Sequence, residues 1–287
     1  MKRKKRANAL AFLLLALAAA SVCIFIMSGN LNTESAAASV PTASPPSMSD
    51  FVSAQVSGID DTHFLELING DYAVNGDSGE TVSAWPTAPV SGSGVTLNET
   101  ALDAVGKMFD AARTAGIGSL FISSGYRDYA EQEQTYDDAA DKSYVQPPGH
   151  SEHETGLAAD IMAVGFTGNT FAVSAPGKWL ADNSWKYGFI LRYPQGKQDI
   201  TGIAYEPWHF RYVGLPHAYY CHENNLCLEE YLRFLKDGGG YEITLDGKNY
   251  SVFYEAPRDG IIEVPKSSPY EISDDNTGGY VITVWSD

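Results

Sequence analysis

Residues 157–162, Leu-Ala-Ala-Asp-Ile-Met, read as a buried strand, and one of them is Asp160. A carboxylate on such a strand is costly to bury unless it is paired or bound to a metal. This requirement constrains the chain more than any other local feature, because the fold must deliver partners to that point. His153 stands seven residues earlier, joined to the aspartate through Gly156. Further on, Glu206-Pro207-Trp208-His209 sets a carboxylate three residues before a second histidine. His153, Asp160 and His209 make an N, O, N donor set that leaves a fourth tetrahedral position for water, the form of a catalytic rather than a structural zinc site. Glu206 is then free as a base. The plainer readings are a hydrogen-bonded core pair for His153 and Asp160 and chance spacing for Glu206 and His209; spacing alone leaves both open. Of the six histidines, His63 has no metal-like neighbour, and His217 and His222 read as surface residues of a late helix. His150, three before His153, is the one candidate for a fourth protein ligand.

Periodicity places these residues on elements. Ala101, Val105, Met108, Phe109 and Ala112 keep helical spacing, with Asn98 as N-cap and Gly116 as stop. The pattern predicts strands at 120–123, 157–162, 189–193 and 208–213, and helices at 129–140, 178–187, 216–222 and 228–235. Helices interleaved with short strands give an α+β class. The triplet Gly238-Gly239-Gly240 marks a boundary, and the alternation after Tyr241 around Asp246-Gly247 predicts a hairpin. Residues 280–285 form a further strand of this small β appendage.

Three blocks occur in order: Ser124-Gly-Tyr-Arg127, then Gly149-His-Ser151-Glu-His153-Glu-Thr-Gly156-Leu-Ala-Ala-Asp160, then Glu206-Pro-Trp-His209-Phe-Arg-Tyr-Val-Gly214. Together they resemble the signature blocks of zinc D-alanyl-D-alanine carboxypeptidases of the VanY type, a group that includes related L,D-carboxypeptidases. Tyr187-Gly-Phe-Ile-Leu-Arg-Tyr-Pro194 resembles that family too, and the likeness covers roughly residues 55–238. It implies a small antiparallel sheet flanked by helices holding one Zn2+ per chain, with His153, Asp160 and His209 as ligands and Glu206 as general base. It also implies that Arg127 stabilises the oxyanion, that Ser151 helps hold the substrate's terminal carboxylate, and that Gln134 lines the pocket. The plainer reading of Arg127 is a surface salt bridge with Asp128 or Glu131, and of Ser151 a loop hydroxyl. The implied substrate is the peptide stem of peptidoglycan: D,D-carboxypeptidase action on pentapeptides, with L,D-carboxypeptidase action on tetrapeptides as the alternative. A cell-wall binding module with a closed, structural metal site is the rival from another class.

The N-terminus reads as an address. Five basic residues (Lys2, Arg3, Lys4, Lys5, Arg6) precede an almost unbroken apolar run at 9–27. Nineteen residues of helix extend about 28 Å, roughly the hydrocarbon thickness of a bilayer. The expectation is a signal anchor or signal peptide at 1–27, with the basic end in the cytoplasm and the remainder outside. A single-pass membrane protein follows if the segment stays, and a secreted one if it is cleaved. Residues 28–50, rich in Ser, Ala, Pro and Thr, read as a flexible tether. The carboxypeptidase domain is expected at 51–238 and the β appendage at 239–287. Beyond residue 27 the chain holds 14 basic and 36 acidic side chains, which excludes a nucleic-acid backbone as partner. Oligomeric state has no signature here. Cys221 and Cys227 flank an Asn224-Asn225 turn; the alternatives are a disulfide and two reduced, half-buried thiols.

Overall fold

The computed structural model of the protein describes residues 51–75 and 80–287, so the expected anchor at 1–27 and tether at 28–50 lie outside the described residues. Among the described residues no helix is long and apolar enough to cross a membrane. Strand β1 (Phe51–Gln55) is followed by β2 (Thr81–Ser83), β3 (Thr96–Asn98), helix α1 (Glu99–Thr114) and β4 (Leu120–Ser124). Helix α2 (Tyr129–Asp138), a 3-10 turn (Glu152–Thr155), β5 (Ala158–Ala163), α3 (Asn169–Val173) and α4 (Ala175–Asn183) come next. Then follow β6 (Phe189–Leu191), α5 (Gln198–Thr201), β7 (His209–Tyr212), α6 (Leu215–Glu223) and α7 (Leu228–Lys236). The chain finishes with β8 (Tyr241–Leu245), β9 (Lys248–Glu255), β10 (Ile261–Pro265), β11 (Tyr270–Asp274) and β12 (Tyr280–Ser286). The class is α+β, as expected, with two separate four-stranded sheets.

The first sheet has the order β4-β5-β7-β6 and is antiparallel throughout. Alternation along β5 sends Ala159, Ile161 and Ala163 into a core shared with Phe210 of β7 and with α1. That helix starts where it does because the Asn98 side chain accepts from the N–H groups of Thr100 and Ala101. Its buried stripe is Ala101, Leu102, Val105, Met108, Phe109 and Ala112, the spacing read from the sequence. Each large side chain so buried contributes about 1.5–3 kcal/mol. The opposite face of the same two strands carries the polar residues. Asp160 pairs across the ladder with His209, and Ala158 with Arg211. Cross-strand partners share a face, so the register alone places the aspartate beside the histidine.

The second sheet has the order β11-β12-β9-β8. Its first hairpin turns at Asp246 and Gly247, both at positive φ (52° and 80°), which is why Asp-Gly stands there. The C-terminal strands are not a freestanding appendage. Phe51–Gln55 pairs antiparallel with Ile261–Pro265, and the Leu65 and Leu67 N–H groups donate to Ser273 Oγ and the Asp275 carbonyl. Residues 51–75, counted above with the carboxypeptidase domain, are therefore stitched to the C-terminal strands, and the described residues belong to one compact unit.

One local expectation is corrected here, and one of two open alternatives is met. His217 is 1% exposed rather than on the surface, because α6 is sandwiched between α7 and β12. Its Nδ1 lies 2.6 Å from the Tyr231 hydroxyl and its Nε2 3.0 Å from Thr283 Oγ1. Cys221 and Cys227 are free and buried rather than bridged. Burial pushes both thiols up, Cys227 to about 12, and the Cys227 thiol donates to Glu230 Oε2 at 3.3 Å.

Candidate metal centre and its cleft

Local structure sets the first ligand. The Ser151 side chain accepts from the His153 N–H, and the Glu154 carboxylate reaches back to the Ser151 N–H, boxing the start of the 3-10 turn. Gly156 ends that turn at φ 68°, packed so closely that a Cβ would lie 2.9 Å from Thr81 Cγ2 and 3.0 Å from the Asn98 nitrogen. Only glycine lets the chain turn there and run on as β5 towards Asp160. His153 Nδ1 sits 2.6 Å from the Gly125 carbonyl. A carbonyl only accepts, so Nδ1 carries the hydrogen and Nε2 presents a lone pair, 3.5 Å from Asp160 Oδ1. His209 faces the same oxygen with Nδ1 at 3.1 Å, while its Nε2 lies 3.3 Å from Glu152 Oε2.

The donor atoms of His153, Asp160 and His209 all lie within 4.8 Å of one another. With both imidazoles neutral, three lone-pair atoms converge with no hydrogen between them. A divalent cation is the partner that such a set fits, and zinc takes this N and O donor chemistry readily. Charge at the site follows the same logic. Burial works against ionised Asp160, yet the two histidines outweigh it and hold the carboxyl well below its usual range. Burial also works against protonated His209, but the hydrogen-bonded carboxylates of Asp160 and Glu152 lift it to about 9, so without a cation Nδ1 donates to Asp160, and a bound cation would take the place of that proton.

Glu206 lies beside the donor set, its Oε2 3.7 Å from His209 Nδ1, and is 4% exposed. Burial, with Asp160 adding to it, pushes the Glu206 carboxyl up to about 8. A carboxyl with that proton affinity suits a group that must take a proton and return it near neutral pH. Arg127 does not form the surface salt bridge. Asp128 and Glu131 are occupied in capping α2, and Arg127 instead donates from Nε to Gln132 Oε1 at 2.9 Å and from Nη1 to Ser124 Oγ at 3.0 Å. Ser124 reaches that position through a register shift in the β4–β5 ladder that sets it opposite Asp160.

These groups line a cleft of about 430 Å³ that contains Arg127, Ser151, His153, Asp160, Glu206 and His209. Tyr144 and Trp208, stacked at 6.4 Å, form one wall, while Trp208 also packs against the core. A second cleft of about 470 Å³ on the C-terminal sheet, lined by Thr244, Asn249, Ser251 and Ser286 among others, has no comparable constellation. Gln134 is exposed and is not among the residues that line the cleft; it donates to Asp138, which is. The residue that matters on that helix is Gln132, which is 0% exposed, fixes Arg127 and donates to the Gln146 carbonyl. His150 is turned away, its Nδ1 against the Asn69 carbonyl at 2.7 Å. Sequence reading also missed Glu152, Arg192, Arg211 and Glu229, a buried ionic group behind His209. The one signal for it is a lone arginine inside each of two apolar strand patterns.

An N, O, N donor set beside a buried carboxyl, with a fixed guanidinium in the same cleft, is the arrangement that suits a metal-dependent hydrolase. Residues 94–215 match the family VanY: D-alanyl-D-alanine carboxypeptidase. A D-alanyl-D-alanine carboxypeptidase of Enterococcus faecium is 42% identical over 180 residues, which cover 62% of this chain and 58% of that protein. Among solved structures, the vancomycin-resistance D,D-dipeptidase VanXYg in complex with a D-Ala-D-Ala phosphinate analogue is 29% identical, with a TM-score of 0.71 over 82% of this chain and 98% of its own. A variant of the vancomycin-resistance D,D-pentapeptidase VanY, in complex with Zn(II), is 34% identical, with a TM-score of 0.51 over 59% of this chain and 98% of its own. The chain belongs to the VanY family of D-alanyl-D-alanine carboxypeptidases. It spans a little over half the length, 58%, of the curated Enterococcus relative.

Proposed function

We propose that this protein is a zinc D,D-carboxypeptidase, with one zinc per chain, that removes the terminal D-alanine from peptidoglycan stem pentapeptides. The observation that carries the reading is the convergence of His153 Nε2, Asp160 Oδ1 and His209 Nδ1 beside the buried Glu206. These three side chains would hold a zinc ion, which would supply Lewis acidity and lower the pKa of a water to about 7. Glu206 takes the proton of the attacking water and passes it to the leaving amine. Arg127, locked by Gln132 and Ser124, holds positive charge for the carbonyl oxygen as it becomes anionic. Ser151, on the cleft wall, gives a hydroxyl to the terminal carboxylate of the substrate, a role its place on the lining supports. The basic and apolar N-terminal run supports placing this chemistry outside the membrane, on a tethered domain.

The test is product analysis by mass spectrometry on the full chain loaded with zinc, offered stem pentapeptide and stem tetrapeptide separately. Loss of one D-alanine from the pentapeptide is the expected result. Cleavage of the tetrapeptide alone would assign L,D-carboxypeptidase activity instead, and no cleavage of either would favour a binding module. Glu206→Gln should keep zinc while turnover falls by about 10²–10⁴-fold; turnover equal to the parent's removes Glu206 as the base.

A further inference from the structure

We propose that Glu152 is the positioning residue of the metal centre: from behind the cleft it fixes which nitrogen of His209 is turned towards Asp160. The inference rests on the metal-centre reading above. No role assigned so far uses this side chain, which is 1% exposed. Its two oxygens are divided between different partners. Oε1 accepts from Arg192 Nε at 2.6 Å and from Arg211 Nη1 at 3.0 Å. Oε2 faces His209 Nε2 at 3.3 Å. With two guanidiniums on its other oxygen, this carboxylate is an acceptor only, so the imidazole nitrogen facing it carries the hydrogen. Nδ1, 3.1 Å from Asp160 Oδ1, is thereby the nitrogen left to give up its proton and face a cation.

Glu152 is itself held from three sides. Arg192 Nη1 and Nη2 donate to Glu229 Oε2 and Oε1 at 2.9 and 2.7 Å. Glu229, on α7, also accepts from Asn69 Nδ2 at 3.2 Å. Arg211 Nη2 donates to the carbonyls of Phe64 and Glu66 at 3.2 and 3.1 Å. Two carboxylates and two guanidiniums balance, which makes so much buried charge tolerable without making it a source of stability. A ligating histidine whose second nitrogen donates to a carboxylate is the general means of fixing ring orientation and tautomer at a metal. Here the segment 64–69, the strand pair β6–β7 and the helix α7 all bear on one imidazole.

Glu152→Gln separates this role from a merely structural one, because the amide has the same shape. Both guanidiniums need an acceptor at Oε1, so the amide nitrogen falls at Oε2 and donates to His209 Nε2. His209 must then carry its hydrogen on Nδ1, where the metal belongs. Competitive zinc titration of the full chain should show affinity 10–100-fold weaker than the parent's, the range typical of lost outer partners. A purely structural role would lower the melting temperature and leave the zinc affinity of the folded fraction unchanged. Zinc affinity of E152Q within about threefold of the parent's overturns the proposal. Should that variant fail to fold, nitrogen-15 imidazole spectra of the zinc-loaded parent decide. A retained Nε2 hydrogen on His209 supports Glu152 as the orienting group, and zinc on His209 Nε2 overturns it. A parent that binds no zinc at all would instead sink the metal-centre reading itself.

Discussion

Each of the two four-stranded sheets carries or borders an aspartate withdrawn from solvent, fully buried at Asp275 and half-buried at Asp160, and the two are treated in opposite ways. Asp275, in the turn joining β11 to β12, is 0% exposed. Its Oδ1 accepts from the Thr277 and Gly279 N–H groups at 2.7 and 3.0 Å, and its Oδ2 from the Thr277 and Tyr254 hydroxyls at 2.5 and 3.1 Å. Four donors therefore surround one carboxylate, and its work is to hold a turn. Asp160, in β5, meets two imidazole nitrogens, and no peptide N–H among the described residues donates to its carboxylate. Burial of a charge thus says little about role until its partners are counted. Four donors closed around a carboxylate mean architecture, whereas two imidazole nitrogens gathered on one carboxylate make a donor set that suits a cation.

That contrast can be broken most sharply by changing both aspartates in the same way. Asp160→Asn should abolish zinc binding at micromolar metal, and with it all turnover, while the protein stays folded; an Asp160→Asn protein that retains zinc at parental affinity would erase the distinction. Asp275→Asn should leave zinc affinity untouched and cost about 1–3 kcal/mol in denaturant unfolding, because the new amide hydrogens face donors.

A third expectation concerns His217, which links α6 to the C-terminal sheet. Burial lowers it to about 3, so the folded protein refuses a proton that the unfolded chain accepts below about 6.5. Its contribution is fully present above pH 6.5 and is lost as pH falls from there towards 3, by up to about 1.4 kcal/mol per pH unit. Comparing unfolding of the parent and His217→Gln between pH 7 and 5, the gap in stability should narrow as the pH drops; a constant gap would mean that folding leaves the proton affinity of His217 unchanged, and a widening gap that His217 carries its proton in the fold. The smallest effect is expected at Gln134, where replacement by alanine should leave activity within about twofold and stability within about 0.5 kcal/mol, since the side chain is exposed.

The convergence of His153, Asp160 and His209 was legible because they sit in short blocks whose spacing survives folding. His153 and Asp160 are separated by one turn and one glycine, and the cross-strand register then supplies His209. The α1 stripe was legible for the same reason, being a local period. What was not legible depended on long-range placement. The ionic group behind His209 draws on positions 152, 192, 211 and 229, which share no period, and each arginine looks out of place in its strand until its partner is known. Gln134 was inferred from its distance along the chain, yet two residues of helix turn a side chain by about 200°, so Gln132 rather than Gln134 faces Arg127. The pairing of β1 with β10 joins residues some 210 apart and has no sequence signal at all.

That last pairing has a mechanical consequence. A load applied at Phe51 enters a five-residue ladder against Ile261–Pro265, remote in sequence from the strands that carry Asp160 and His209. Tension would meet that seam before it reached the segment 64–69, whose carbonyls hold Arg211 behind His209.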